Sequence, residues 1–153
     1  MTLHIRKDDL TAPEVLALLQ LHLDEMHQWS PVCSVHAMPA ERLREPDITF
    51  FSAWQGDTLA GCGALKHLDD GHGELKSMRA APDFRGKGVG KAILLHLLAE
   101  ATARGYVRVS LETGRPAPFL PAQTLYRAHG FTECPPFADY VLDDFSVCMT
   151  RTL

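Results

Sequence analysis

The chain has 153 residues, 46% of them hydrophobic and 22% charged, with a formal net charge of −4. That length suits one domain over residues 1–153 with a sizeable core, and the acidic balance excludes a protein whose main partner is nucleic acid, because no basic surplus exists to neutralise a duplex. No apolar h-region follows Met1 and no run reaches membrane-spanning length, so no membrane partner is expected and the chain reads as cytoplasmic.

Leu3 to Arg6 reads as a short first strand. Asp9 or Thr11 is placed to cap a helix with Pro13 in its first turn. Val15, Leu18, Leu19, His22, Leu23 and Met26 recur at three- and four-residue steps and form its apolar face, ending near Trp29 before Ser30-Pro31. A short helix is expected over Pro39–Arg44, stopped by Pro46. Ile48–Trp54 is rich in aromatic and β-branched residues and reads as a strand. Gln55-Gly56-Asp57 turns it into a return strand, Thr58–Leu68, thinned by Gly61 and Gly63. A second turn, Asp69–Gly73, leads to a third strand, Glu74–Ala80, which Pro82 ends.

Val89–Arg104 is the main helix. Val89, Ile93, Leu97 and Ala101 form its stripe, Leu94 and Leu98 widen it, and Gly105 is its stop. Val107–Thr113 follows directly and is expected to pair in parallel with the strand before the helix, through a right-handed crossover. The proline-rich loop Gly114–Pro121 leads to a short helix, Ala122–His129, and Phe131 onward and Ser146–Thr152 read as terminal strands. The order β-α-α-β-β-β-α-β-α-β-β specifies a mixed α/β (α+β) sheet, with Trp29 and Trp54 in the core.

The most informative stretch is Arg85-Gly86-Lys87-Gly88-Val89-Gly90-Lys91, between a strand and the main helix. Unpaired N–H groups at a helix N-terminus favour a phosphate or diphosphate, and glycines let the anion approach the backbone. The P-loop pattern G-x-x-x-x-G-K-[ST] fails here, because Lys91 or Arg85 falls where a glycine is required and Ala92 stands in place of Ser or Thr. The dinucleotide pattern G-x-G-x-x-G fails at Lys91 and Ile93. What is met is [RQ]-x-x-G-x-[GA], by Arg85, Gly88 and Gly90, with Pro82 three residues earlier.

That pattern resembles the acetyl-CoA signature of the GNAT superfamily of N-acetyltransferases. Leu125-Tyr126-Arg127-Ala128-His129-Gly130-Phe131 resembles the L-Y-x-x-x-G-F segment closing the superfamily's cofactor site, so the resemblance covers roughly Thr49 to Phe131. Segments Ser34-Val35-His36, Leu111-Glu112-Thr113-Gly114 and Asp139-Tyr140 look like a small bacterial YsnE-like subgroup. The resemblance implies a mostly antiparallel sheet flanked by helices and splayed between two central parallel strands. It implies acetyl-CoA as donor, a small-molecule or peptide amine as acceptor, and a possible homodimer. Two positions depart from the family: Phe119 stands where an asparagine often holds the pantetheine arm, and Ala80 where a bulkier valine is common.

By the same resemblance, the backbone of Met78, Arg79 and Ala80 bonds the pantetheine and acetyl oxygen. The amides of Gly86, Lys87, Gly88, Val89, Gly90 and Lys91 hold the diphosphate, with Arg85 and Lys87 adding charge. Attack of an amine on a thioester needs a base, an oxyanion stabiliser and an acid. Tyr126 is the candidate acid; its alternative is a packing residue of an amphipathic helix. Glu112 and Glu74 compete as base, directly or through water; the alternatives are a Glu112–Lys76 pair across strands and Glu74 at a strand end in solvent. His36, Glu112, Asp139 and Tyr140 are candidates to line the acceptor pocket. The eight histidines show no ligand-like pairing, so no metal is expected. Cys33, Cys62, Cys134 and Cys148 are scattered, lie outside both motifs and read as reduced thiols, which favours direct attack within a ternary complex. The rival reading is a non-catalytic acyl-CoA-binding sensor or interaction module.

Overall fold

The computed structural model describes residues 2–31 and 34–153; Cys33 lies outside the described residues. The elements follow the sequence pattern: β1 (His4–Lys7), α1 (Pro13–Trp29), α2 (Ala40–Leu43), β2 (Ile48–Gln55), β3 (Thr58–Asp69), β4 (His72–Ala80), α3 (Val89–Ala103), β5 (Arg108–Gly114), α4 (Leu120–Ala128), β6 (Thr132–Cys134) and β7 (Ser146–Thr152). Short 3₁₀ turns occupy Pro82–Phe84 and Ala117–Phe119. The strands form one sheet in the order β1-β2-β3-β4-β5-β7-β6. Every pairing is antiparallel except β4 with β5. This is the mixed, mostly antiparallel sheet that the strand order demands, with its one parallel pair at the α3 crossover.

Two apolar layers cover the sheet. On one face Ile93, Leu94, Leu97 and Ala101 of α3 pack with Phe51, Leu65, Leu75 and Leu111. On the other, Val15, Leu18 and Leu19 of α1 and Leu43 of α2 pack with Phe50, Trp54 and Leu59. Gly61 and Gly63 have a packing role: a Cβ on Gly63 would lie 2.7 Å from Ile93 Cγ2, so glycine is what lets α3 settle onto β3. The expected side-chain cap of α1 is absent. Ala12 is its N-cap, and Asp9 instead bonds Thr11 in a local turn. Trp54 is buried as expected, whereas Trp29 is only half-buried and leaves the core for the functional cleft.

The cleft originates in β4. Its parallel ladder with β5 runs only from His72↔Arg108 to Leu75↔Leu111. Beyond Leu75, β5 continues against β7 through Gly114↔Ser146, while β4 stays with β3. At the point of divergence β4 carries a bulge: Ala64 faces Lys76 and Cys62 faces Arg79, so Ser77 and Met78 oppose the single Gly63. Ser77 takes a positive φ of 54°, a conformation an L-residue adopts only under local constraint. Bulges bend and twist a strand, and this one turns β4 away from its parallel neighbour.

Candidate active site

A cavity of about 840 Å³ runs through the opening between β4 and β5. One end meets the N-terminus of α3, where Arg85, Gly86, Gly88, Gly90 and Lys91 form its wall. Gly86 and Gly88 have φ of +74° and +82°, with nothing within 4 Å of an added Cβ. These left-handed turns present the backbone, and the first bond of the helix runs from Ala92 N to Gly88 O. The amides of Val89, Gly90 and Lys91 therefore precede any intrahelical partner, an end of the helix whose dipole favours an anion. Lys87 is exposed, with its ammonium 5.6 Å from the Phe84 ring, and the Val89 side chain is buried in the core.

The other end is built from α1, β4, β5 and the segment before β7. The bulge resets the alternation of β4. Leu75, Met78 and Ala80 face α3, while Arg79 reaches the α1 residues Glu25 and His22. Glu74 and Lys76 flank Leu75 and point to the opposite face, toward Tyr140. Glu112, next to the inward-facing Leu111, shares that α1 side and lines the cavity. Burial, opposed in part by Lys76, pushes its carboxyl up to about 7. Tyr126 of α4 stands on the α3 side, its hydroxyl 3.9 Å from Met78 Sδ and its ring edge-on to Phe131. Burial and then the Glu112 charge push its phenol up to about 12. A carboxyl and a phenol, both with raised pKa, thus lie on opposite faces of one opening.

Glu74 is held differently. It is 2% exposed, and its Oε2 accepts from Lys76 Nζ at 3.1 Å and Tyr140 Oη at 2.5 Å; Lys76 also donates to that hydroxyl at 2.8 Å. This closed triangle fastens the segment before β7 to β4. His36 sits edge-on to Tyr140 at 4.9 Å, and burial and the Lys76 charge lower its pKa. Ser34 Oγ donates to Asp143 Oδ2 at 2.6 Å, so the loop after α1 and the segment before β7 hold each other over this end of the cavity.

Comparison with known proteins decides what this cleft belongs to. Residues 15–131 match the acetyltransferase (GNAT) family. The chain belongs to the GNAT family. It is 54% identical over 151 residues to an uncharacterized N-acetyltransferase, YsnE, of Bacillus subtilis (strain 168), covering 99% of this chain and 100% of the relative. It is 52% identical to an uncharacterized N-acetyltransferase, YedL, of Escherichia coli (strain K12), covering 97% and 94%. The crystal structure of a candidate acyl-CoA N-acyltransferase from Klebsiella pneumoniae superposes with a TM-score of 0.79 at 27% identity, over 99% of this chain and 98% of that one. GNAT enzymes take their acetyl group from acetyl-CoA. The positive-φ glycines, the α3 amides and the unpaired edge of β4 fit that donor.

Within this GNAT frame the structure brings Glu74, Glu112, Tyr126, His36 and Tyr140 to one cavity with Met78, Arg79, Ala80 and the glycine loop. Three expectations change. Asp139 is exposed and does not line the cavity; the nearby acid that ties this segment down is Asp143. Lys76 pairs with Glu74, two residues along its own strand, and not across to Glu112. Glu74 is not at a solvated strand end, because the Tyr140 segment covers it. Sequence reasoning missed Glu25 and the place of Trp29 in the cleft. Glu25 bonds both Arg79 and Arg85, and Trp29 meets Phe119 edge-on at 5.5 Å. Their signal was present in α1, whose apolar stripe continues through His22, Glu25/Met26 and Trp29 with polar residues intruding.

Proposed function

We propose that the chain, as one N-acetyltransferase domain over residues 1–153, moves an acetyl group from acetyl-CoA to a primary amine of a small molecule by direct attack within a ternary complex. The observation that carries this reading is the pairing of Glu112 and Tyr126 across the cavity that begins at the glycine loop. Acetyl-CoA supplies an activated thioester. The amides of residues 86–91 hold its diphosphate, with Arg85, Lys87 and Lys91 adding positive charge. The free backbone edge of Met78, Arg79 and Ala80 orients its pantetheine arm and acetyl oxygen.

Glu112 is the base. With a pKa near 7 it is substantially ionised at neutral pH yet basic enough to take a proton from an arriving ammonium, directly or through one water. Glu74 serves as an anchor, since its Oε2 is already engaged by Lys76 and Tyr140. Tyr126 stays protonated throughout the working range and donates its hydroxyl hydrogen to the departing sulfur. His36 and Tyr140 border the acceptor. The free thiols of Cys62, Cys134 and Cys148 suit a reducing cytoplasm, and none is needed as a nucleophile.

The test is thiol release from acetyl-CoA with a panel of amines. Turnover by the unsubstituted protein is expected, with about a hundredfold loss of kcat in Tyr126→Phe and retained acetyl-CoA affinity by calorimetry. Binding of acetyl-CoA with no turnover on any amine would leave a non-catalytic acyl-CoA-binding module in place of the enzyme.

A further inference from the structure

On the α1 side of β4, two guanidinium groups share one carboxylate. Arg79 and Arg85 both bond Glu25 Oε1, Arg85 at 2.8 Å. Arg79 also faces His22 Nδ1 at 3.4 Å, and burial and the Arg79 charge hold that imidazole neutral, with a pKa of about 4. With the Arg85 charge serving the diphosphate, Glu25 is the counter-charge of Arg79. The Arg79 side chain is only 9% exposed, and its Nε–H is buried with no hydrogen-bond partner among the described residues. A charged donor held this way is costly unless something binds it. Arg79 is also part of the cavity wall, beneath the Trp29 ring at 5.7 Å.

The direction of the side chain says which bound molecule it serves. The amides of the diphosphate cradle sit at the N-terminus of α3, and from that loop the Arg85 side chain crosses to Glu25 on the α1 side. Arg79 points to the α1 face, the face of Lys76 and Glu112, where the amine has to arrive. We infer that Arg79 is a specificity residue for the acceptor, and that the acceptor is an amine carrying a carboxylate, whose oxygens take the free Nε–H and one terminal N–H of Arg79 below Trp29 while the amine faces Glu112. The guanidinium fork matches a carboxylate in two parallel bonds, which a lysine in its place would not reproduce. This rests on the acetyltransferase reading above.

The test uses matched pairs, each an amino acid and its decarboxylated amine: phenylalanine with phenethylamine, tryptophan with tryptamine, glutamate with 4-aminobutyrate, which keeps only the distal carboxylate. In the unsubstituted enzyme, kcat/KM is expected to be at least tenfold higher for the member with the α-carboxylate in at least one pair. Arg79→Gln should bring that ratio close to one, and Arg79→Lys should restore part of it. The same comparison is made by calorimetry on coenzyme A-loaded protein with the N-acetylated form of each pair, so the preference is measured even if no amine turns over. Absence of thiol release with every amine would defeat the transferase reading alone. Equal binding of both members in every pair would overturn the role of Arg79. A tenfold loss of coenzyme A affinity in Arg79→Gln with the acceptor ratio intact would overturn it too, by assigning the charge to the donor's phosphates. Glu25→Gln covers the case in which Arg79→Gln does not fold. Freed of its counter-charge, Arg79 should then favour the carboxylated member more strongly, and a fall in the ratio would refute the assignment.

Discussion

Glu112→Gln separates the cost of burying a carboxylate from its use. Burial raises the folded-state pKa from 4.5 to about 7. At roughly 1.4 kcal/mol per pH unit this corresponds to about 3 kcal/mol, an upper value because the side chain keeps some contact with cavity water. The sign follows from proton counts. Between pH 4.5 and 7 the folded protein holds a proton on Glu112 that the unfolded chain has released, so stability falls as pH rises through that window. Below pH 4.5 both states are protonated and nothing is lost; above pH 7 the whole penalty applies. Glutamine keeps the shape and carries no charge. Urea unfolding of wild type and Glu112→Gln, at intervals from pH 4 to 8.5, should therefore give curves that meet at the acid end. The variant should become about 1–3 kcal/mol the more stable protein above pH 7. Over the same range kcat of the wild type should rise with an inflection near 7, and the variant should lose 10²- to 10⁴-fold and the inflection with it. A stability difference independent of pH, or one favouring wild type at pH 8, would refute the assignment of Glu112 as a buried, charge-penalised base.

Three further outcomes follow from the packing. His22 is the reverse case: with its folded pKa lowered from 6.5 to about 4, the stability present above pH 6.5 should drain by about 3 kcal/mol on acidification to pH 4, and His22→Gln should flatten that loss in urea titrations. Gly114→Ala would set a Cβ 2.2 Å from Phe119 Cδ2, unseating the ring that meets Trp29; the destabilisation, about 1–3 kcal/mol by chemical denaturation, should shrink in a Phe119→Leu background, and an additive cycle would show that the two do not touch. Gly61→Ala would press on the Arg79 carbonyl oxygen at 2.6 Å and on Ile93 and Val89 at 2.9 Å, so both the thermal midpoint and acetyl-CoA affinity should drop, the latter measured by calorimetry.

Much of the frame was legible because periodicity and punctuation agree. The α1 stripe, the two hairpins and the α3 stripe each have a period and a stop, and the bounds of the last strand, Ser146–Thr152, were read correctly. The glycine loop was legible for a different reason: few other contexts need so many small residues between a strand and a helix. The start of α4 was not legible. Its first turn contains Leu120 and Pro121, and a proline there reads as loop unless it is taken as a pre-set first helical position. The partner choices were not legible either. Whether Lys76 meets Glu74 or Glu112 depends on the divergence of β4 from β5 and on Tyr140, 64 residues away, whose hydroxyl completes the triangle. Asp139 and Asp143 are equivalent acids in one loop as far as sequence goes, and only the path of the chain brings Asp143 to Ser34.

The bulge at Ser77 and Met78 explains why cleft and side chains are arranged together. In an unbroken β4 strict alternation would carry the α1-facing set from Glu74 and Lys76 to Met78 and Ala80, and Arg79 would point into the apolar layer under α3. One extra residue reverses the phase. Met78 and Ala80 join the α3 core, Met78 within reach of Tyr126, and Arg79 turns to Glu25 on the α1 side. The same residue bends the strand and ends the parallel ladder at Leu75, freeing the backbone edge that a pantetheine arm needs. Pairing all of β4 in regular register, with no residue deleted, would bury a guanidinium among leucines and send a thioether and a methyl group to the charged face, so the unbroken strand is strongly disfavoured for this sequence.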